Sequence, residues 1–171
     1  MPHEPSSRLR TELSFRREEW HFLFRLPGRL VVAATLTYPG TPRRRVAQGL
    51  AGIDAIAAGR FSASRLVRDV VAAIYDESED RPPPGERLAD PQTVVPETLI
   101  ACRSAAGMLA RRVGRAETDA YRHWFESIAA RVCQAGHADA LSVPAARPLA
   151  EGQRRFLAAV SAAFEIGVAS G

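Results

Sequence analysis

The residues from Thr118 to Ala135 constrain the fold most, because large apolar side chains recur there at intervals of three and four residues. This spacing predicts a helix with one apolar face. Aromatic side chains bury the largest areas, so we expect the other helices to pack against this face. Its members are Tyr121, Trp124, Phe125, Ile128 and Val132.

The chain has 171 residues, the size of a single domain that buries its own core. Apolar residues make up 46% of it, and alternating runs of β-branched residues do not occur. We therefore predict an all-α bundle of about seven helices, with two pseudo-repeated helical hairpins between an N-terminal and a C-terminal helix. The domain is expected to span residues 11–171, after a disordered tail at 1–10.

Proline, glycine and capping residues set the predicted boundaries. The third helix is expected to bury Val46, Leu50, Ile53 and Ala57, which are spaced like one helix face. The predicted helices run from Ser14 to Leu26, from Pro27 to Tyr38, from Pro42 to Gly59, from a cap at Ser62 to Ile74, from Pro96 to Val113, through the aromatic segment, and from Ala150 to Ile166.

Residues 76–92, with the sequence DESEDRPPPGERLADPQ, are predicted to be a linker. Three consecutive prolines favour extended polyproline geometry, and the density of charge is high. We therefore expect neither helix nor strand in this acidic, proline-rich segment.

The cysteine and hydropathy patterns favour a cytoplasmic protein. Cys102 and Cys133 lie in predicted helices and are expected to be buried, reduced thiols. The N-terminus lacks the apolar core of a signal peptide. The longest nearly uncharged apolar run, Leu30 to Tyr38, is shorter than the roughly 20 residues that a membrane helix needs.

Arg43, Arg44 and Arg45 begin the third helix, where the positive end of the helix dipole disfavours cations. They form a candidate site for an anionic ligand, a nucleic acid or an anionic lipid. However, all 23 basic residues are arginine, which indicates a general composition bias. No nucleic-acid recognition motif is present, so we consider nucleic acid the weaker partner.

Glu18 and His21 have the Glu-x-x-His spacing of di-iron bundles, and His123 and Glu126 repeat it in reverse order. A complete site needs two further inward glutamates. Because the set is incomplete, we predict no metal and no cofactor. Neither cysteine has a neighbouring histidine, and no strand–turn–helix elbow is expected, so we predict no catalytic residues and hence no enzyme.

Trp20, Trp124 and Phe125 are the candidate binding residues for another protein, provided that either tryptophan is partly exposed. The leading hypothesis is therefore a non-catalytic interaction or scaffold module. A homodimer is one arrangement that it allows.

Three segments resemble TerB-like domains of the tellurite-resistance type from high-GC bacteria: YRHWFESIAARVCQAG, PLAEGQRRFLAAVSAAF and FRLPGRLVVAATLTYPGTPRRRVAQGL. The similarity covers about residues 22–60 and 97–165. It implies an all-α fold and a stress-response accessory role. The family's acidic turn is replaced by Tyr38-Pro39-Gly40-Thr41 and by Val113-Gly114-Arg115, so its cation binding is not carried over to these turns.

Overall fold

The computed structural model describes residues 14–80, 90–135 and 149–169, and every regular element in these ranges is helical. The all-α prediction is confirmed. The elements are α1 (Arg17–Leu36), α2 (Pro42–Ala58), a short 3-10 helix (Gly59–Phe61), α3 (Arg65–Asp80), α4 (Pro91–Arg112), α5 (Arg115–Ala135) and α6 (Glu151–Ala169).

Helix α5 occupies the centre of the bundle, as its aromatic pattern predicts. It packs against α1, α2, α3, α4 and α6. The ring of Tyr121 stacks on Phe125 at 5.8 Å between centroids, and Phe125 lies 5.4 Å from Phe164 of α6. All five residues of the predicted apolar face are buried.

The predicted break at Pro27 is wrong, because α1 continues through this proline. Proline has no N–H, so it cannot donate to the carbonyl four residues earlier, that of Leu23. The buried hydroxyl of Tyr121 donates to that oxygen instead, at 3.0 Å. One side chain of α5 thus pairs the carbonyl that Pro27 leaves free. The first two predicted helices are therefore one, and the described residues hold six α-helices rather than seven.

Other predicted boundaries also shift, and the predicted start at Pro96 is wrong, because α4 begins at Pro91 and continues through Pro96. Helix α1 begins at Arg17 rather than Ser14. Residues 76–80 belong to α3, and residues 91–92 belong to α4, because Asp90 accepts a hydrogen bond from the backbone N–H of Gln92 and caps that helix. The prediction that residues 76–92 contain no helix is therefore wrong at both ends of this segment. Its residues 81–89 and the 1–10 tail lie outside the described ranges.

Helix α3 is capped by a residue that the sequence pattern did not single out for this role. Ser64, rather than Ser62, accepts from the N–H of Val67 at 3.1 Å. The carboxylate of Glu117, from the first turn of α5, accepts from the Leu66 N–H at 2.9 Å and from the Ser64 hydroxyl at 2.6 Å. Negative charge is favourable at a helix N-terminus, so Glu117 fixes α3 against α5.

The predicted buried face of α2 is wrong. Val46, Leu50 and Ile53 are exposed, whereas the opposite side of the helix contacts α5 and α1. A Cβ atom on Gly52 would lie 2.6 Å from Val31 of α1, and one on Gly59 would lie 2.5 Å from the Trp124 indole nitrogen. Close packing through small residues thus turns the larger aliphatic side chains outward. The buried residues of α2 are Gln48, Gly52, Ala55 and Ile56.

Candidate functional site

An exposed aliphatic row on α2 is the main unpartnered apolar feature of the described surface. Val46, Leu50 and Ile53 are 62%, 59% and 56% exposed. They follow one another at intervals of four and three residues, so they lie along one side of the helix. Apolar residues scattered singly over a surface need no explanation, but a contiguous row indicates an interaction site.

The helix that presents this row is well defined at its N-terminus. The Thr41 hydroxyl accepts from the N–H of Arg44 at 3.3 Å, and Pro42 takes the first helical position. Proline fits there because its missing N–H has no intrahelical partner anyway. The row therefore lies on a capped helix whose opposite side packs against α5 and α1.

The three arginines of the candidate anion site do not share one surface. Arg44 folds back over the ring of Tyr38, with its guanidinium carbon 5.5 Å from the ring centroid. Arg43 and Arg45 are exposed. Successive residues of a helix project about 100° apart, so these side chains fan out, and only Arg43 borders the aliphatic row.

The edge of the row that carries Arg43 also carries Asp54. Both residues are exposed, and neither forms an ion pair with any described residue. Asp54 and Arg131 of α5 line a surface cavity of about 380 Å³ without approaching within ion-pair distance.

Small residues flank the row: Ala47 lies on the charged edge, and Gly49 lies on the other. We call Arg43, Val46, Ala47, Gly49, Leu50, Ile53 and Asp54 the α2 outer face.

A second cavity, of about 270 Å³, lies near the start of α3 and is lined by Arg60, Arg68, Val71, Ala72 and Tyr75. Its arginines are engaged. Arg68 donates to the backbone oxygens of Ser62 and Ala63 at 2.6 and 2.9 Å. Arg60 lies over the Phe61 ring at 4.7 Å. Because both arginines already contact groups of the protein itself, we assign no ligand to this cavity.

The aromatic binding residues expected from the sequence belong to the core. Trp20, Trp124 and Phe125 are all buried, so the condition for an aromatic surface, a partly exposed tryptophan, is not met. The indole N–H of Trp124 is buried next to Gly59 and has no hydrogen-bond acceptor among the residues that the structure describes.

The candidate metal ligands are dispersed. Glu18 is exposed on α1, and the His21 ring packs on Phe24 at 5.0 Å. A ring nitrogen of His123 lies 2.8 Å from the carbonyl oxygen of Asp119. No three His, Cys, Asp or Glu side chains of the described ranges come together as a metal site would require.

Glu126 joins α5 to α6 through a polar cluster. Its carboxylate accepts from Arg122 at 2.9 Å and from the Ser161 hydroxyl at 2.5 Å, and Arg122 also binds Glu165. Burial alone would raise the pKa of the Glu126 carboxyl, but these hydrogen bonds and the charge of Arg122 hold the pKa below its usual value. Glu126 is thus an ionised partner of Arg122.

Both cysteines are buried thiols that form no disulfide within the described residues, as the sequence predicts. Burial raises the pKa of Cys102 to about 12 and that of Cys133 to about 11. A nucleophilic cysteine needs a lowered pKa and access to solvent, and neither thiol has them.

The α2 outer face is the candidate site that sequence reasoning missed. Periodicity identified its members, but it assigned them to the core. The sequence contained one indication that the other side of α2 faces the core. Gly52, Ala55 and Gly59 lie on that side, where small residues allow close approach. The close approach of α1 and α5 at Gly52 and Gly59, rather than hydrophobicity, decides which side of this helix is buried, and Gln48 and Ile56 lie on that same side.

Comparisons of the chain with protein-family models, with curated proteins and with solved structures found no match. Within the described ranges, none of the helices combines the length and apolarity that crossing a bilayer requires.

Proposed function

We propose that this protein is a non-catalytic interaction module that binds another polypeptide through the α2 outer face. The observation that carries the proposal is the exposed row of Val46, Leu50 and Ile53 on a helix whose opposite side packs against α5 and α1. Amphipathic helices bind such surfaces through anchors at the same spacing. A partner helix laid along the row would cover these three side chains.

The chemistry of the edges narrows the kind of partner. Ala47 and Gly49 present little side-chain volume, so the backbone of a partner helix can approach closely. Arg43 and Asp54 place one charge of each sign on a single edge. A partner with an apolar stripe and complementary charges along one side fits this face better than a uniformly acidic surface does.

An anion, nucleic-acid or anionic-lipid binder is the alternative, and its support comes from Arg43, Arg44 and Arg45. The three side chains diverge, and Arg44 covers Tyr38, so their geometry favours this function less. It predicts binding that falls steeply with salt, which distinguishes it from binding driven by apolar burial.

The resemblance to TerB-like domains supplies the proposed setting, a cytoplasmic stress-response complex of the tellurite-resistance type. The proposal about the α2 outer face does not depend on it.

Site-specific photo-crosslinking in the cells that produce the protein tests the function. A benzophenone amino acid at position 50 should give a discrete protein adduct. The same probe at Ile100 of α4, which is 57% exposed, is the matched control and should not give it. Ile53→Asp should abolish the adduct. Absence of any protein adduct from positions 46, 50 and 53 would refute the proposal.

A further inference from the structure

The α2 outer face is complementary to itself. Asp54 follows Arg43 by eleven residues, which is about three turns at about 3.6 residues per turn, so both side chains lie on the same edge of the aliphatic row. When two such helices pair antiparallel about a two-fold axis, that edge meets its own counterpart in reverse order. Arg43 of each copy is then placed opposite Asp54 of the other.

The same register brings the aliphatic residues together. With Arg43 opposite Asp54, the centre of the contact lies between positions 48 and 49, so Leu50 meets Val46 and Leu50 of the other copy. Ile53 packs against the aliphatic stem of Arg43, whose charged end reaches past it towards Asp54. Intervals of four and three residues are those of a coiled-coil seam, and Gly49 and Ala47 leave room for the second backbone.

The pairing would also supply an acidic group to a helix N-terminus that has none in a single copy. The first turn of α2 contains no acidic residue, although the N-terminus of a helix favours negative charge. Asp54 of the second copy would arrive at that turn and at Arg43 together. Within one copy neither residue has an ion-pair partner among the described residues.

From this complementarity we propose that the occupant of the α2 outer face is a second copy of this chain, in an antiparallel two-fold pair of α2 helices. The inference rests on the proposed function and names its partner. One helix from each copy makes a small interface, and small interfaces give weak, reversible association. The pair therefore forms and separates with protein concentration.

Sedimentation velocity on the full chain, from about 1 µM to about 1 mM, tests the pairing over the range expected of a weak interface. The sedimenting mass should rise towards twice the 18.6 kDa of one chain. Leu50→Asp should keep the protein monomeric, whereas Ile100→Asp, the matched control on α4, should dimerise normally. A protein that stays monomeric to the highest concentration overturns the proposal.

Charge exchange tests the register. Arg43→Asp and Asp54→Arg each place like charges opposite one another, so each should weaken dimerisation by at least about tenfold. Mixing the two variants restores opposite charges at both ends and should recover a mixed dimer. Arg45→Asp, a change in the same turn on another side of the helix, should leave the association constant unchanged. A dimer that is indifferent to these exchanges, or a mixture that does not recover, overturns the proposed pairing.

Failure of this inference and failure of the proposed function give different results. If the protein is monomeric but the probe at position 50 captures a different polypeptide, the interaction module stands and the second copy is wrong. If the protein is monomeric and the probe captures nothing, both are wrong.

Discussion

At the scale of single residues, polar groups of one helix complete the hydrogen bonding of another. The Tyr121 hydroxyl pairs the Leu23 carbonyl that Pro27 leaves free. The Gln153 amide donates to the Cys133 carbonyl in the last turn of α5, while its oxygen accepts from the Ala150 N–H at the start of α6. The unpaired backbone groups at helix ends and at a proline are thus satisfied by buried side chains.

Tyr121→Phe should lower the free energy of unfolding by about 1–3 kcal/mol, because it leaves the buried Leu23 carbonyl without a donor. Pro27→Ala supplies the missing N–H, so the same tyrosine change should cost less in that background. A double-mutant cycle by urea denaturation measures the coupling. Tyr75→Phe, on the surface of α3, is the control and should change stability by less than about 0.5 kcal/mol. An equal cost of Tyr121→Phe in both backgrounds would contradict the assignment.

At the scale of elements, the orientation of α2 is decided by its small residues. Gly52 and Gly59 allow contact with Val31 and Trp124 that a Cβ atom would prevent. Burying Leu50 instead would require α2 to turn to its other side and move away from α5. The helix therefore keeps close packing on one side and exposes the residues that form the candidate site on the other.

Two glycines of α2 should respond to alanine with opposite signs. Gly52→Ala should destabilise by about 1–3 kcal/mol, because the new methyl group overlaps the stiff, β-branched Val31. Gly49→Ala meets open space and should stabilise by about 0.5–1 kcal/mol through helix propensity. Thermal and urea unfolding at low protein concentration compares them without dimerisation. Stabilisation by both changes would show that α2 does not pack closely at Gly52.

At the scale of the whole molecule, the helices are connected both by apolar packing and by polar contacts between their side chains. Glu117 links α5 to the start of α3, and the cluster of Arg122, Glu126 and Ser161 links α5 to α6. The core also encloses titratable groups, Tyr121 and two thiols, in their neutral forms. Their protonation makes the stability of the whole fold depend on pH.

The free energy of unfolding should fall as the pH rises from about 9 towards 11–12. Burial raises the pKa of Cys102 from 9.0 to about 12 and that of Cys133 from 9.0 to about 11. Thiols that ionise near pH 9 in the unfolded chain thus stay protonated in the fold. Below pH 9 both thiols are protonated in the folded and in the unfolded chain, so their full contribution to stability is present. Above pH 9 the free energy of unfolding falls by up to about 1.4 kcal/mol per pH unit for each group. Urea unfolding across this range measures the slope. Cys102→Ala should be less stable at every pH but should lose stability less steeply, and parallel curves would exclude the thiol as the cause.

Periodicity and residue type determined the helical class, the central aromatic helix and the burial of both thiols. Each of these depends on side chains within one segment, and the spacing of Tyr121, Phe125 and Ile128 specifies a buried face whichever helices cover it. A break at Pro27 was also a local inference, but it failed because Tyr121, far along the chain, replaces the hydrogen bond that proline removes.

Only the tertiary structure decided which side of α2 faces the core, and with it where the candidate site lies. By hydrophobicity, Val46, Leu50 and Ile53 form the better apolar face. The close approach of α1 and α5 at Gly52 and Gly59 outweighs that preference, because interhelical distance depends on the shape of the neighbours as well as on the helix itself. The hydrophobic effect is non-directional, so the sequence could identify the apolar residues of α2, whereas packing against other helices determined which of them remained available to bind a partner.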